Sequence, residues 1–252
     1  MINNKTLFRT VEFDSWAHRS RLISAERFLI DRYLDKRAKT LEAGTGGGKI
    51  LFEMMALGFT ALNGFDFVPE FIEQARKRDV NHNISFEVGD AVCLKYGDSS
   101  FDQVIYLQQI VSFIENEESR LRALQEAYRI LKTGGVAVFS FLSFDVRVTS
   151  PLYYSYITYL RCVRLLRRSN LSIHHLPWLK LGGKLNLGSL LDQGPYGYWF
   201  RLSEVTQLLN DVGFRLKAVG STRQIDQGVM KDSCDELVGE QLAGMLYLVC
   251  TK

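Results

Sequence analysis

Three acidic residues stand beside glycines in the first hundred residues of the chain. Glu42 opens the stretch EAGTGGG, Asp66 ends the stretch NGFD, and Asp90 ends the stretch EVGD. Glycines let a backbone approach a ligand closely and adopt positive φ. Carboxylates beside such a loop attract a cation and accept hydrogen bonds from hydroxyl and amino groups. The set indicates a binding site for a positively charged ligand that carries such groups.

The glycine-rich stretch departs from both common phosphate-binding loops. The dinucleotide fingerprint G-x-G-x-x-G, read from Gly44, needs a third glycine at the position of Lys49. A P-loop needs a hydroxyl residue after its lysine, whereas Lys49 is followed by Ile50. The carboxylate of Glu42 would also repel a pyrophosphate. These residues argue against a nicotinamide-dependent oxidoreductase.

The three acids fall where short strands are expected to end. Apolar runs separated by helical periodicity predict βαβ units and a parallel sheet. The predicted strands cover residues 40–43, 60–65, 84–88, 101–107, 136–142, 214–220 and 245–250. Glu42 then lies near the end of the first strand, and Asp66 and Asp90 follow the second and third.

Helix signals lie between these strands. The clearest helix is predicted over 117–132, where apolar residues are spaced three, four and three apart. Asn116 is its expected cap and Gly134 its expected end. Another helix is predicted over 202–210, with Ser203 as its cap.

Composition and charge predict one domain over residues 1–252. The chain is 46% hydrophobic and 23% charged, which is typical of a globular protein and excludes intrinsic disorder. Residues 1–36 are expected to form an N-terminal helical cap, and residues 145–200 an inserted lid. The insertion carries seven Lys or Arg against two Asp, a net charge of +5, and the rest of the chain sums to −2. This uneven charge argues against a nucleic-acid binder and for a local acidic or interfacial partner.

The remaining sequence features favour a cytoplasmic protein. No apolar run approaches the roughly 18–20 residues of a membrane span, and the N-terminus shows no signal-peptide core. The four cysteines, at positions 93, 162, 234 and 250, form no C-x-x-C pair. We therefore expect neither a disulfide framework nor a metal site.

Residues 38–142 resemble the class I S-adenosylmethionine-dependent methyltransferases. The resemblance rests on five stretches, in chain order LEAGTGGGK, GFDFVPEFIEQAR, FEVGDA, FDQVIYLQQIVSFI and EAYRILKTGGVAVFS. The tail from Tyr198 is similar to the last helix and strands of that family. The resemblance implies a Rossmann-like α/β fold. Its mostly parallel sheet would have seven strands in the order 3-2-1-4-5-7-6, with strand 7 antiparallel and helices on both faces.

The resemblance also implies S-adenosylmethionine as cofactor and S-adenosylhomocysteine as product. The ammonium and sulfonium groups of this cofactor suit the acidic glycine loop. Ten positions carry over as cofactor-binding residues. They are Glu42, Gly44, Thr45 and Gly46 for the methionine moiety, Asp66 and Phe67 for ribose and adenine, Asp90 and Ala91 for the adenine edge, and Leu107 and Gln108 for the sulfonium side.

The sequence does not single out one catalytic residue. His174 and His175 in the insertion and His18 near the N-terminus are candidate bases for an acceptor hydroxyl, although each is also explained as an ordinary loop histidine. Methyl transfer from a sulfonium needs mainly positioning of the acceptor. We expect O-methylation of a small molecule that is bulky and partly apolar or anionic.

Residues 152–168 predict an amphipathic helix. Arg161, Arg164 and Arg168 fall on one side, and the apolar residues Leu152, Tyr156, Tyr159, Val163 and Leu166 on the other. The apolar side either packs on the sheet as part of a lid, or contacts a membrane or an amphiphilic substrate. A partner or dimer contact is a third interpretation.

Three alternative functions stay open at this point. A nucleic-acid methyltransferase is disfavoured because no N/D-P-P-Y/F motif follows the fourth strand. A non-catalytic protein would bind S-adenosylmethionine without turnover. A nicotinamide-dependent oxidoreductase is disfavoured by Glu42 and Lys49. The acceptor, the methylated atom and the oligomeric state are not defined by the sequence.

Overall fold

The structure, a computed structural model, describes residues 4–252, with side chains from residue 6 onward. Residues 1–3 of the expected domain and N-terminal cap lie outside this range. Seven strands of the described chain form the central sheet. They are β1 Thr40–Ala43, β2 Leu62–Asp66, β3 Ile84–Val88, β4 Phe101–Tyr106, β5 Leu131–Leu142, β6 Arg215–Ser221 and β7 Met245–Thr251.

The strand order of this sheet is β3-β2-β1-β4-β5-β7-β6. The first five strands pair in parallel, and β7 runs antiparallel to both β5 and β6. The predicted Rossmann-like sheet and its strand order are therefore confirmed. The chain crosses from β3 at one edge back to β4 beside β1, and ligands of open α/β sheets bind in the crevice at such a switch point.

Helices cover both faces of the sheet. In the described range they are α1 Asn4–Arg9, α2 Phe13–Ala17, α3 Ser24–Tyr33, α4 Lys49–Ala56, α5 Pro69–Arg78, α6 Glu117–Ile130, α7 Phe144–Thr149, α8 Pro151–Leu166, α9 Leu202–Val212 and α10 Thr222–Asp226. Helices α6 and α9 bury apolar residues in one core, and α3, α4, α5 and α10 bury theirs in a second core. Across residues 4–252, no helix is both long and apolar enough to span a bilayer.

Helix α6 ends earlier than predicted. Asn116 caps its start as expected, because its side chain accepts a hydrogen bond from the Ser119 N–H at 2.8 Å. The expected end at Gly134 is wrong, since the helix stops at Ile130 and the chain enters β5 directly at Leu131. Residue 131 pairs with Phe101 of β4, so sheet pairing overrides the helical periodicity of this segment.

Helix α9 is not capped by Ser203, contrary to the prediction. Its first residue, Leu202, donates its N–H to Oδ2 of Asp145 at 2.8 Å, and Arg201 occupies the N-cap position. The carboxylate that satisfies this helix start lies 57 residues earlier in the chain. This tertiary contact adds to a local one, in which Glu204 accepts from the Arg201 N–H at 3.3 Å.

The insertion folds as α7 and α8 followed by small irregular elements. Two short strands, His175–Pro177 and Tyr196–Tyr198, pair antiparallel. A hairpin, Lys180–Leu181 with Lys184–Leu185, and a 3₁₀ turn, Leu187–Leu191, lie between them.

The faces of α8 differ from the amphipathic prediction. Its buried residues are Ile157, Leu160 and Arg164, whereas Leu152 and Leu166 are 78% and 83% exposed. Arg164 is buried because its guanidinium pairs with Asp192, which is also buried at its side chain, at 2.7 Å. The sequence pattern placed Arg164 on a solvated basic face because the buried partner follows 28 residues later.

Candidate functional site

A cavity of about 360 Å³ lies at the carboxyl ends of the central strands. This volume falls within the range of small-molecule sites. The lining comes from loops after β1 to β4 and from the N-terminal helices. Its residues are Phe8, Trp16, Gly44, Gly46, Phe65, Asp66, Phe67, Phe71, Gly89, Asp90, Ala91, Val92, Gln108, Ile110, Phe113, Ile114, Glu115, Asn116 and Ser119.

The glycine loop forms one wall of this cavity. Gly44 and Gly46 adopt φ of +62° and +53°, a left-handed conformation that favours glycine. A Cβ atom on Gly44 would also lie 2.3 Å from Cδ1 of Ile110. On its other side the loop touches the N-terminal helices, since a Cβ atom on Gly47 would lie 2.0 Å from the carbonyl oxygen of Ala17. At these positions the neighbouring atoms leave space for glycine alone, and the cavity beside the loop can hold a ligand.

Asp66 holds the loop against the end of β2. The Gly46 N–H donates to Oδ2 of Asp66 at 2.9 Å, and the Val68 N–H donates to Oδ1 at 3.0 Å. The side chain is 4% exposed, and burial raises the pKa of Asp66 to about 6 although these backbone hydrogen bonds oppose the rise. Each carboxylate oxygen keeps lone pairs that can accept from ligand hydroxyl groups.

Glu42 lies behind the loop. Thr45 donates its hydroxyl to Oε2 of Glu42 at 2.7 Å, and neither residue lines the cavity. Desolvation by burial raises the pKa of Glu42 to about 8. A cation bound nearby would favour the ionised carboxylate and lower this pKa again.

The raised pKa of Glu42 predicts a pH-dependent stability. Its carboxyl titrates near 4.5 in an ordinary setting and near 8 in the fold. Between these two pH values the folded state therefore binds more protons than the unfolded state. The free energy of unfolding then falls as pH rises, by at most about 1.4 kcal/mol per pH unit. Glu42→Gln, which stays neutral, is expected to remove this contribution. Urea unfolding at a series of pH values measures it, and equal slopes for both proteins would contradict the assignment.

A buried ion pair lies beneath the same wall. The Lys49 ammonium donates to both carboxylate oxygens of Glu26 at 2.7 Å. Gln108, which lines the cavity with φ of +61°, donates its amide to Oε1 of Glu26 at 3.3 Å. Glu26 was not predicted from the sequence, since a glutamate in a helix is normally solvated and no local signal marks it as buried.

The remaining predicted cofactor residues fall into two groups. Phe67 and Ala91 present apolar surface to the cavity, and Asp90 is exposed at its edge, where Oδ1 accepts from the Val92 N–H at 3.1 Å. Leu107 is 2% exposed and packs in the core below the site. Of the ten predicted cofactor residues, those that line the cavity are Gly44, Gly46, Asp66, Phe67, Asp90, Ala91 and Gln108.

Aromatic side chains form a further part of the cavity wall. The ring of Phe8 lies 6.1 Å from Trp16, 6.2 Å from Phe67, 6.0 Å from Phe113 and 5.6 Å from Trp178 of the insertion. These aromatic contacts were not predicted from the sequence. The N-terminal segment is visibly aromatic, but nothing in the sequence indicates that it meets the insertion.

The predicted histidine bases are not among the residues that line the cavity. His18 is exposed at the end of α2. His174 stacks on Phe144 at 4.3 Å, with Nδ1 2.7 Å from the carbonyl oxygen of Trp199. His175 is half-buried, and burial lowers its pKa. The structure does not bring these three histidines to the cavity.

The charge of the lining suits S-adenosylmethionine. Among the lining residues, Asp66, Asp90 and Glu115 are acidic and none is Lys, Arg or His. Such a wall attracts ammonium and sulfonium groups and accepts from ribose hydroxyls and an adenine amine. Over the described chain, no group of three or more His, Cys, Asp and Glu is placed to hold a metal ion.

Comparison with known proteins agrees with this chemistry. Residues 41–139 match a family model described as a methyltransferase domain. The ubiquinone/menaquinone biosynthesis C-methyltransferase of a Geobacter species is 30% identical over 139 residues, which are 52% of this chain and 57% of that protein. The 27-O-demethylrifamycin SV methyltransferase of Amycolatopsis mediterranei is 29% identical over 101 residues, 38% of this chain and 36% of that protein. The chain thus spans about half the length, or less, of these relatives.

A solved structure shows the same fold over most of the chain. An S-adenosylmethionine-dependent methyltransferase from Methanosarcina mazei superposes with a TM-score of 0.65 at 21% identity, covering 89% of this chain and 96% of that one. The strand order matches the one that the resemblance implies, and residues 41–139 are similar in sequence to a methyltransferase domain.

Proposed function

We propose that this protein transfers the methyl group of S-adenosylmethionine to a hydroxyl of a small-molecule acceptor that is bulky and partly apolar. The observation that carries the proposal is the acidic cavity beside a positive-φ glycine loop. Three carboxylates and no basic side chain line it within the described residues. A cationic methyl donor fits such a wall, whereas the pyrophosphate of a nicotinamide cofactor would be repelled.

The lining residues have distinct binding roles in this proposal. The backbone of Gly44 and Gly46 lies against the methionine moiety, and Asp66 accepts from the ribose hydroxyls. Phe67 packs on the adenine, and Asp90 accepts from its amine. When bound, the cofactor supplies a methyl group already activated for in-line displacement. Glu42 supports the loop through Thr45 without direct contact.

The aromatic part of the cavity wall supports an apolar acceptor. Phe8, Trp16 and Phe113 contribute to this wall, and such rings bind flat or bulky apolar groups well. Since the described lining has no basic residue, it favours a neutral acceptor over the anionic one that the charge of the insertion predicts. With the three histidines elsewhere, we assign the acceptor proton to a lining carboxylate or to water.

Carbon methylation is the second candidate. It is favoured by the relative from Geobacter, whose name specifies a C-methyltransferase, whereas the relative from Amycolatopsis is named for an oxygen position. The two reactions share the donor site and differ in the atom that the acceptor presents.

Calorimetric titration tests the donor site first. We expect micromolar binding of S-adenosylmethionine and S-adenosylhomocysteine, and none of NADH. NADH binding without either sulfur nucleotide would contradict the proposal. Incubation with hydroxylated apolar compounds and labelled donor, followed by mass spectrometry, then identifies the methylated atom. Tight donor binding without transfer to any acceptor would instead support a non-catalytic binding protein.

A further inference from the structure

Exposed apolar side chains concentrate on the insertion. Within residues 4–252, fifteen large hydrophobic residues are exposed, and nine of them lie between Leu152 and Leu191. We name these nine the lid surface. They are Leu152, Tyr154, Tyr159, Leu165, Leu166, Leu185, Leu187, Leu190 and Leu191. Such a concentration marks an interaction site more often than scattered surface residues do.

Hydrogen bonds hold the parts of this surface side by side. Tyr159 and Leu166 are seven residues apart on α8 and therefore lie along one line of the helix. The Tyr159 hydroxyl donates to the carbonyl of Leu190 at 2.6 Å, and the Arg167 guanidinium donates to the carbonyl of Leu191 at 2.6 Å. The 3₁₀ turn is thus fixed beside the exposed stripe of α8.

Basic side chains flank the lid surface without acidic partners. The two acids of the insertion are engaged elsewhere, since Asp192 pairs with Arg164 at 2.7 Å and Asp145 pairs with Arg201 at 3.2 Å. In the described part of the chain, five exposed basic residues of the insertion form no ion pair. They are Arg161, Arg167, Arg168, Lys180 and Lys184.

We propose that the lid surface docks on an anionic lipid bilayer. Uncovered leucines enter the boundary between headgroups and acyl chains, and the flanking arginines and lysines meet anionic headgroups. Charge complementarity selects this occupant, because the surface offers net positive charge together with apolar area. The insertion also contacts Phe8 of the cavity lining through Trp178, so a docked molecule holds the cavity near the bilayer. This proposal goes beyond methyl transfer and does not depend on it.

Vesicle flotation of the full chain tests the docking. The probes are vesicles of phosphatidylcholine, with and without phosphatidylserine. We expect the protein to float with the vesicles that contain phosphatidylserine and to be released by high salt, because exposed charges are screened. Failure of the parent protein to bind these vesicles at low salt would overturn the proposal.

Paired variants separate the apolar and basic contributions. Leu166→Glu with Leu190→Glu is expected to abolish flotation. Arg161→Gln with Arg168→Gln is expected to weaken it roughly 30-fold, which is equivalent to about 1 kcal/mol for each basic side chain. The matched controls, Val238→Glu and Arg215→Gln with Lys217→Gln, change exposed residues outside the insertion and should float like the parent.

Two further outcomes count against a lipid surface. Flotation that is unchanged in both insertion variants would show that another region binds the vesicles. Sedimentation showing a dimer that dissociates in Leu166→Glu with Leu190→Glu, without vesicle binding by the parent, would assign the lid surface to a second copy of the chain. Calorimetry with S-adenosylmethionine on the same variants reports separately on the proposed donor site.

Discussion

Lys49→Met, introduced alone, is expected to lower the free energy of unfolding by about 3–5 kcal/mol. Lys49 and Glu26 are 5% and 3% exposed, and the ammonium contacts both carboxylate oxygens at 2.7 Å. Removing the ammonium leaves a carboxylate in the core without its counter-charge. Urea unfolding followed by circular dichroism measures the loss.

The double variant Glu26→Gln with Lys49→Met is the control. It removes both charges, and the amide oxygen of the new side chain can still accept from the Ile23 N–H, which donates to Glu26 at 3.0 Å. We expect it to recover most of the lost stability, because replacing both members of a buried pair is far milder than orphaning one. If Lys49→Met alone were as stable as the parent, the Lys49 ammonium would not be offsetting the cost of burying the Glu26 carboxylate.

Asp66→Ala is expected to weaken S-adenosylmethionine binding by about 1–3 kcal/mol, a factor of roughly 5–150 in Kd. The change removes a buried acceptor of ligand hydrogen bonds. It also releases the Gly46 N–H, whose hydrogen bond to the carboxylate holds the glycine loop. Calorimetric titration gives the affinity, and urea unfolding checks that the variant is folded.

Two substitutions separate these effects of Asp66. Asp66→Asn keeps one acceptor oxygen and should lose less affinity than the alanine variant. Asp90→Asn changes an exposed carboxylate of the same cavity, and we expect a smaller loss because solvent already competes for its hydrogen bonds. Unchanged donor affinity in Asp66→Ala would disprove the ribose assignment.

The donor side of the site could be predicted because its residues act locally. Strand β3 has the predicted bounds 84–88, and Gly44, Asp66 and Asp90 lie at the carboxyl ends of successive strands. In a parallel sheet the ends of successive strands meet at one edge, so sequence spacing translates directly into spatial proximity. The fold and this half of the cavity follow from such local patterns.

The acceptor side could not be predicted because its contacts join distant segments. Phe8 meets Trp178 across 170 residues of chain, and Arg164 is buried by Asp192 rather than solvated on a helix face. Periodicity describes one element at a time and carries no information about which elements meet. The buried pair of Glu26 and Lys49 was missed for the same reason.

The residues that form and cover the cavity come from two parts of the chain, one inside the family match and one outside it. Phe8 and Trp16 are the members of the described lining that fall outside the family match over 41–139, and Trp178, which contacts Phe8, also lies beyond it. The donor half of the cavity is therefore formed by residues of the shared segment. Phe8, Trp16 and Trp178, which cover it, belong to stretches that precede and follow this segment. The preceding stretch is nevertheless tied to the shared segment, because Ala17 packs against Gly47 and Glu26 pairs with Lys49. Exchange of Phe8 and Trp178 would therefore change the cover of the cavity while Ala17, Glu26 and the shared segment are kept.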